Sequence, residues 1–205
     1  MIISIEGNIG SGKSTSISHL KSLNLSNVVF LPEPVDVWTE IKDKDGMNII
    51  EHYYSNQQKY AFSFQMMAYI TRLSQLRKAI KETPKDYIII TERCLLTDRH
   101  IFAKMLYDDG KIEEIEYNIY MRWFDEFLEE CKIDGIIYIE TDPTVCKERI
   151  GIRNRAGENI PLSYLENCHK YHQEWLSDKS NTLTLDGNKT INFKEITQYI
   201  ESMMV

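Results

Sequence analysis

The stretch "IISIEGNIGSGKST", residues 2–15, decides the fold. An apolar run of strand character leads straight into Gly7, Asn8, Ile9 and Gly10, then Ser11, Gly12, Lys13, Ser14 and Thr15. Within it Gly7, Gly12, Lys13 and Ser14 fit G-x-x-x-x-G-K-[ST]. Such a loop turns tightly around an anion without a Cβ in the way, its N–H groups aim inward, and the helix that follows adds positive potential. Lys13 is expected at the β- and γ-phosphates of a nucleoside triphosphate, with Ser14 on Mg²⁺. The loop defines a donor and leaves the acceptor to the rest of the chain.

Outward from this stretch, short β-branched runs recur between amphipathic segments: "NVVFL" at 27–31, "YIII" at 87–90, "GIIYIE" at 135–140 and "TLTL" at 182–185. Continuous apolar runs of this length suit strands covered on both faces, with helices as crossovers, which predicts an α/β fold. Helical periodicity is clearest over 57–81, 112–130, 161–177 and 192–203. The segment "RIGIRNRAGENI", 149–160, has little apolar content and three arginines, and reads as a solvated loop or a mobile cationic lid. With 205 residues, 42% of them hydrophobic, residues 1–205 are expected to form one domain. A net charge of −7 without any basic block argues against nucleic acid as a partner. No apolar run approaches the roughly 20 residues of a membrane span, and "MIISIEG" has no cationic leader, so a soluble cytoplasmic protein is expected. Cys94, Cys131, Cys146 and Cys168 are widely spaced and read as reduced thiols. His169 and His172 read as part of a solvated helix face.

The acceptor is addressed by carboxylates at strand ends. "PEPVDVW" follows the 27–31 run, and Pro34 keeps Glu33 extended at the sheet edge where open parallel sheets place their ligands. An alcohol attacking a γ-phosphoryl group must lose a proton, and a carboxylate there accepts it, whereas a phosphate acceptor needs no such base. "TERCLLTDRH" places Glu92 and Arg93 at another strand end, Glu92 suited to Mg²⁺ and Arg93 to neutralising developing charge.

At this point the chain closely resembles the deoxynucleoside kinase family, the group that includes deoxycytidine, deoxyguanosine and mitochondrial thymidine kinases. The resemblance rests on "IEGNIGSGKST", "EPVDVW", "FSFQ", "TERCLLTDRHIFA", "DGIIYIETDP", "ERIGIRNR", "IPLSYLENCHKYHQEWL" and "LTLDGN", in family order. It implies a five-stranded parallel sheet flanked by helices, an arginine-rich lid, and a homodimer packed through helices. Tyr117, Tyr120, Trp123 and Phe124 spread around the 112–130 helix as two buried sides would require. The resemblance makes Glu33 the base on a 5′-hydroxyl and Arg93 its partner, with Tyr54 and Glu158 on the 3′-hydroxyl. Arg149, Arg153 and Arg155 become a clamp on the donor phosphates, and Asp186 and Phe193 contacts to the donor base.

Gln65, Ala68 and Arg72 share one face of the 57–81 helix. Gln65 presents a carbonyl and an amide side by side and can match several bases. Ionised Asp98 only accepts hydrogen bonds, which favours the amino group of cytosine or adenine over the carbonyl of thymine. Arg72 is expected to pair with it. By resemblance, Ala68, Arg72 and Asp98 match the deoxycytidine and deoxyguanosine kinase branch, Trp38, Tyr53 and Phe64 wall the base, and Val35 completes the nucleoside set. ATP, UTP and GTP all stay open as donors. A thymidine-preferring kinase, a nucleoside monophosphate kinase and a GTP-dependent switch are the competing readings; the last would need a guanine-reading Asn/Thr-Lys-x-Asp element, which the sequence lacks.

Overall fold

A computed structural model describes residues 1–155, 158–177 and 179–203. Five strands form one sheet: β1 (Ile2–Glu6), β2 (Val28–Leu31), β3 (Ile88–Glu92), β4 (Gly135–Glu140) and β5 (Thr182–Asp186). All pairings are parallel, in the order β2-β3-β1-β4-β5. The first half of the chain supplies α1 (Lys13–Ser22), α2 (Val35–Glu40), α3 (Ile49–Ser55) and the long α4 (Gln57–Glu82). After β3, α5 (Leu95–Thr97) runs through a π-helical turn, Asp98–Ala103, into α6 (Lys104–Asp108). Then come α7 (Glu114–Phe127) with a 3₁₀ tail to Cys131, α8 (Pro143–Arg153), α9 (Leu162–Leu176) and α10 (Phe193–Ser202).

The period of two along each strand sorts the side chains into two cores. Ile3 and Ile5 of β1, Ile88 and Ile90 of β3, and Ile137 and Ile139 of β4 pack with Ile17 and Leu20 of α1 and Ile196 and Ile200 of α10. Ile2 and Ile89 face the other way, onto Tyr69, Leu73 and Leu76 of α4 and Tyr120 and Phe124 of α7. Ile136 and Tyr138 join that second layer against Cys168, Trp175 and Leu176 of α9. Burying each such side chain is worth about 1.5–3 kcal/mol, so the cores on the two faces hold the sheet and leave its rim free for polar work.

Two expectations need correction. Residues 149–153 are not loop: they finish α8, whose Cys146 and Ile150 lie buried one turn apart. Asn154, in the left-handed region at φ 45, ends the helix. A one-sided anchor of two residues is too sparse a signal beside three arginines. Ala156 and Gly157, which follow, lie outside the described residues. His172 does not sit on a solvated face. It is fully buried, stacked on Tyr138 at 5.8 Å with Nδ1 2.6 Å from the Cys168 carbonyl oxygen, and burial pushes its pKa down to about 3. Leu165, Cys168, His172 and Leu176 form the inner stripe of α9, so the imidazole serves as a neutral core ring. On α7 one side is buried within this chain, through Tyr120 and Phe124, and Ile115, Ile119 and Trp123 are exposed on the single chain.

Candidate active site

The carboxyl ends of β1, β2 and β3 open into one cleft of about 600 Å³. At the first, Gly7 to Gly12 wrap a tight loop. A Cβ on Gly10 would lie 2.6 Å from the Cys146 carbonyl oxygen, and Gly10 itself has φ 81, so α8 can approach only because no side chain is there. Asn8 ties the loop to α9 through Nδ2 and the Leu165 carbonyl, 2.8 Å. Lys13 Nζ donates to the carbonyls of Gly7 and Asn8 at 3.0 and 2.7 Å. Burial first, and the Arg93 charge second, bring its pKa down to about 8 in spite of Glu92, Glu33 and Glu6. An anion in the loop offsets both penalties and keeps Lys13 charged.

Ser14 Oγ donates to Glu92 Oε1 at 2.7 Å. A hydroxyl and a carboxylate oxygen side by side, with Thr15 also lining the cleft, form the hard-oxygen donor set that suits Mg²⁺.

Glu92 and Arg93 both line the cleft, although consecutive residues of a strand face opposite ways. Arg93 resolves this with a left-handed backbone, φ 61, which in a non-glycine residue costs on the order of 1–3 kcal/mol. Its Nη1 reaches Glu33 Oε1 at 2.7 Å, and Arg72 Nη2 reaches the same oxygen at 3.2 Å. Among the described residues no protein donor reaches Glu33 Oε2. Burial pushes the Glu33 carboxyl up, but Arg93, Arg72 and Lys13 together hold it down to about 2, so it stands ionised with one oxygen free.

Arg72 has further partners: Nε donates to Asp98 Oδ2 at 3.0 Å and Nη1 to the Glu92 carbonyl at 2.9 Å. The pairing expected from the sequence is present. Burial pushes Asp98 up to about 6 against the pull of Arg72. Around this pair lies a flat aromatic slot. Phe64 stacks on Tyr53 at 4.5 Å and meets Trp38 edge-on at 5.6 Å, with Val35, Ala68 and Gln65 completing the walls. Trp38 is held by its indole N–H on Thr71, 2.9 Å. Gln65 is buried and its Oε1 has no partner, as a group awaiting a ligand would be.

At the cleft mouth, Tyr54 and Glu158 are near enough for the Glu158 charge to help raise the Tyr54 pKa, after burial and Tyr53. Glu158 accepts from Arg153 at 2.5 Å and Arg155 at 3.1 Å. Arg149 donates to the carbonyls of Ser11, 3.3 Å, and Gly187, 2.9 Å, joining the glycine loop to the turn after β5. The other two residues expected on the donor side are not among those lining this cleft. Asp186 is exposed and paired with Lys189 at 2.8 Å, and Phe193 stacks on His19 of α1 at 3.7 Å, at the edge of the core. Six lining residues went unassigned in the sequence: Pro32, Asp36, Ile50, Phe102, Ile152 and Tyr164. Phe102, one turn beyond Asp98, carries the Arg93 guanidinium over its ring at 5.1 Å, and Tyr164 bonds its hydroxyl to that of Tyr53 at 2.8 Å. The spacing of Phe102 from Asp98 was the available signal.

A loop shaped for a triphosphate beside a slot shaped for a flat, uncharged molecule is the arrangement of a phosphate-loop kinase acting on small acceptors. The chain belongs to the deoxynucleoside kinase family, whose profile, described as deoxynucleoside kinase, matches residues 3–204. It is similar to human deoxycytidine kinase, with 35% identity covering 90% of this chain and 78% of that protein. A probable deoxycytidine kinase of fowlpox virus is 39% identical over 87% of this chain and 72% of its own length. The mitochondrial deoxyguanosine kinase of Xenopus laevis is 31% identical, with coverage of 92% and 78%.

Proposed function

We propose that this kinase transfers the γ-phosphate of ATP or another nucleoside triphosphate to the 5′-hydroxyl of a deoxynucleoside, preferring deoxycytidine and purine deoxynucleosides to thymidine. The observation that carries the reading is Glu33: one oxygen fixed by two arginines, the other free, in a buried slot that a base would fill. The free Oε2 takes the hydrogen bond of the attacking hydroxyl and so orients it. A carboxyl held near 2 is a weak base while Arg93 is wholly committed to it. As donor phosphates arrive they share Arg93, the hold on Glu33 loosens, and its basicity rises when the alcohol must release its proton.

Ser14 and Glu92 would hold Mg²⁺, which when bound neutralises charge on the β- and γ-phosphates. Lys13 and the loop N–H groups bind the same phosphates. Arg149, Arg153 and Arg155 act as a closing lid; the last two exchange Glu158 for phosphate oxygens and exclude water as a rival acceptor. Glu158, once released, joins Tyr54 at the sugar 3′-hydroxyl. In the slot, Gln65 and ionised Asp98 read the base edge, Asp98 rewarding an amino group and opposing a carbonyl.

Trp123 of α7 and Ile70 of α4 line a groove of about 430 Å³, Ile115 and Ile119 are further exposed apolar residues of α7, and this face supports a homodimer paired through these helices.

Phosphorylation of the four natural deoxynucleosides, each with ATP, UTP and GTP, tests the assignment. Deoxycytidine or a purine deoxynucleoside should give the highest kcat/KM; a preference for thymidine contradicts the Asp98 argument. Product from deoxycytidine monophosphate but none from deoxycytidine contradicts the whole reading.

A further inference from the structure

β1 breaks its own pattern. Ile2, Ser4 and Glu6 share the face that looks toward α4 and α5, yet only the first is apolar, and Ser4 and Glu6 are both fully buried. Glu6 is a carboxyl with no Lys, Arg or His nitrogen in ion-pair range among the described residues. Its partners are neutral: Ser4 Oγ donates to Oε1, Thr97 Oγ1 donates to Oε2 at 2.7 Å, and the Cys94 thiol also hydrogen-bonds to it. A buried acid satisfied only by neutral donors is costly, so the fold must gain something by keeping it.

What lies between Glu6 and the cleft is the Arg93 turn. Thr97 Oγ1, while donating to Glu6, accepts the Cys94 N–H at 3.2 Å, and the Thr97 N–H closes back on the Cys94 carbonyl at 3.1 Å. On the other side of the turn the Arg93 N–H is held by the Ile5 carbonyl at 3.0 Å, one residue before Glu6. The left-handed Arg93 is therefore pinned at both flanks, by β1 before it and by the Glu6–Thr97–Cys94 chain after it. A hydroxyl that donates to a carboxylate has its acceptor lone pairs strengthened, so Glu6 tightens the Thr97 grip on Cys94. Without that grip the strained Arg93 backbone can relax, which shifts its guanidinium off Glu33.

We propose that Glu6 is a positioning residue for the phosphoryl transfer: acting through Thr97, it locks Arg93 in the backbone conformation that places its guanidinium on Glu33. This rests on the reading of Glu33 and Arg93 given above.

The test measures kcat and deoxycytidine Kd, per titrated binding site, for Thr97→Val, Thr97→Ser, Glu6→Gln, Arg93→Ala and the Thr97→Val/Arg93→Ala double variant. Thr97→Val keeps the shape and removes the hydroxyl. It should lower kcat about 10- to 100-fold, the loss expected for a catalytic group displaced by about an ångström, with nucleoside Kd within about twofold of wild type. Thr97→Ser restores turnover. Glu6→Gln, which must give up one of its accepted hydrogen bonds, should behave like a milder Thr97→Val. In the Arg93→Ala background the Thr97→Val change should cost nothing more, because both act through one side chain. A purely structural role multiplies the two losses instead, and that result, or wild-type turnover in Thr97→Val, overturns the proposal. Should Thr97→Val not fold, the same cycle with Glu6→Gln decides. Full turnover in Arg93→Ala refutes the Glu33–Arg93 reading itself, whereas an impaired Arg93→Ala with multiplying losses refutes the Glu6 proposal alone.

Discussion

On the nucleoside side of the cleft, Glu33, Arg72, Arg93 and Asp98 are already joined, with side chains only 2–17% exposed. On the donor side, Arg153 and Arg155 are 35% and 38% exposed and rest on Glu158, a residue expected to serve the sugar. The first network is expensive to disturb: removing one partner of a buried ion pair costs about 3–5 kcal/mol. The second is cheaper to rearrange, because its arginines are partly solvated and such pairs tend toward the roughly 0–1 kcal/mol of surface ion pairs, although Glu158 itself is only 6% exposed. The side proposed for the acceptor is therefore built in advance, while the side proposed for the donor is left for the donor to complete. Binding of nucleoside should need little reorganisation, and closure should answer to phosphate.

The largest test of this contrast is Glu33→Gln. It should reduce kcat by about 100- to 10,000-fold and leave deoxycytidine Kd, measured by calorimetry, within a few-fold, since the amide still fills the slot. Equal losses in both would mean that Glu33 binds rather than activates. Next, Arg153→Ala should cost about 100-fold or more in kcat yet leave nucleoside binding to the donor-free enzyme unchanged. A large fall in that binding would show that the mouth closes on nucleoside alone, and the contrast would break.

Base selection sharpens the comparison from the other side. Asp98→Ala should narrow the deoxycytidine to thymidine ratio of kcat/KM by about 10- to 150-fold. Protonation mimics the change: with Asp98 raised to about 6, lowering the pH through 6 turns an acceptor into a hydroxyl donor, so discrimination against thymidine should shrink as the pH falls from 7 to 5. A ratio that stays flat over this range removes ionised Asp98 from base reading. The smallest effect is on the donor side. Lys13, lowered to about 8, loses its proton as the pH rises past 8 in the free enzyme, so donor KM should climb by at most tenfold per unit above 8 while kcat holds.

Much of this arrangement was legible in the chain. The five strands and the glycine loop were, because parallel strands, fully buried in β1 and β3 and half-buried at the edge strand β2, read as unbroken β-branched runs, and the loop must use glycine where a Cβ would strike Cys146. Glu33, Glu92 and Arg93 were found because a charged side chain at the end of a buried strand is costly to keep unless the rim of the sheet uses it. The paired Arg72 and Asp98 followed from one polar stripe on an apolar helix. What stayed hidden depends on packing. The end of α8 is anchored by two residues and otherwise solvated, and His172 looks like any polar residue until α9 is seen to bury it. Phe102 and Tyr164 sit at helical spacings where an aromatic ring is ordinarily core. Asp186 and Phe193 were placed by resemblance alone, and here they face Lys189 and His19.

Arg72 touches Asp98, Glu33 and the backbone of Glu92 with one planar group. Recognition and chemistry thus share a single cation, and neither can be retuned in isolation. A variant that drops Asp98 to welcome a new base leaves Arg72 with surplus charge to direct at Glu33, dampening the carboxylate proposed to take the proton. Changes of substrate along this scaffold should accordingly travel as linked substitutions, the reader and its arginine exchanged together.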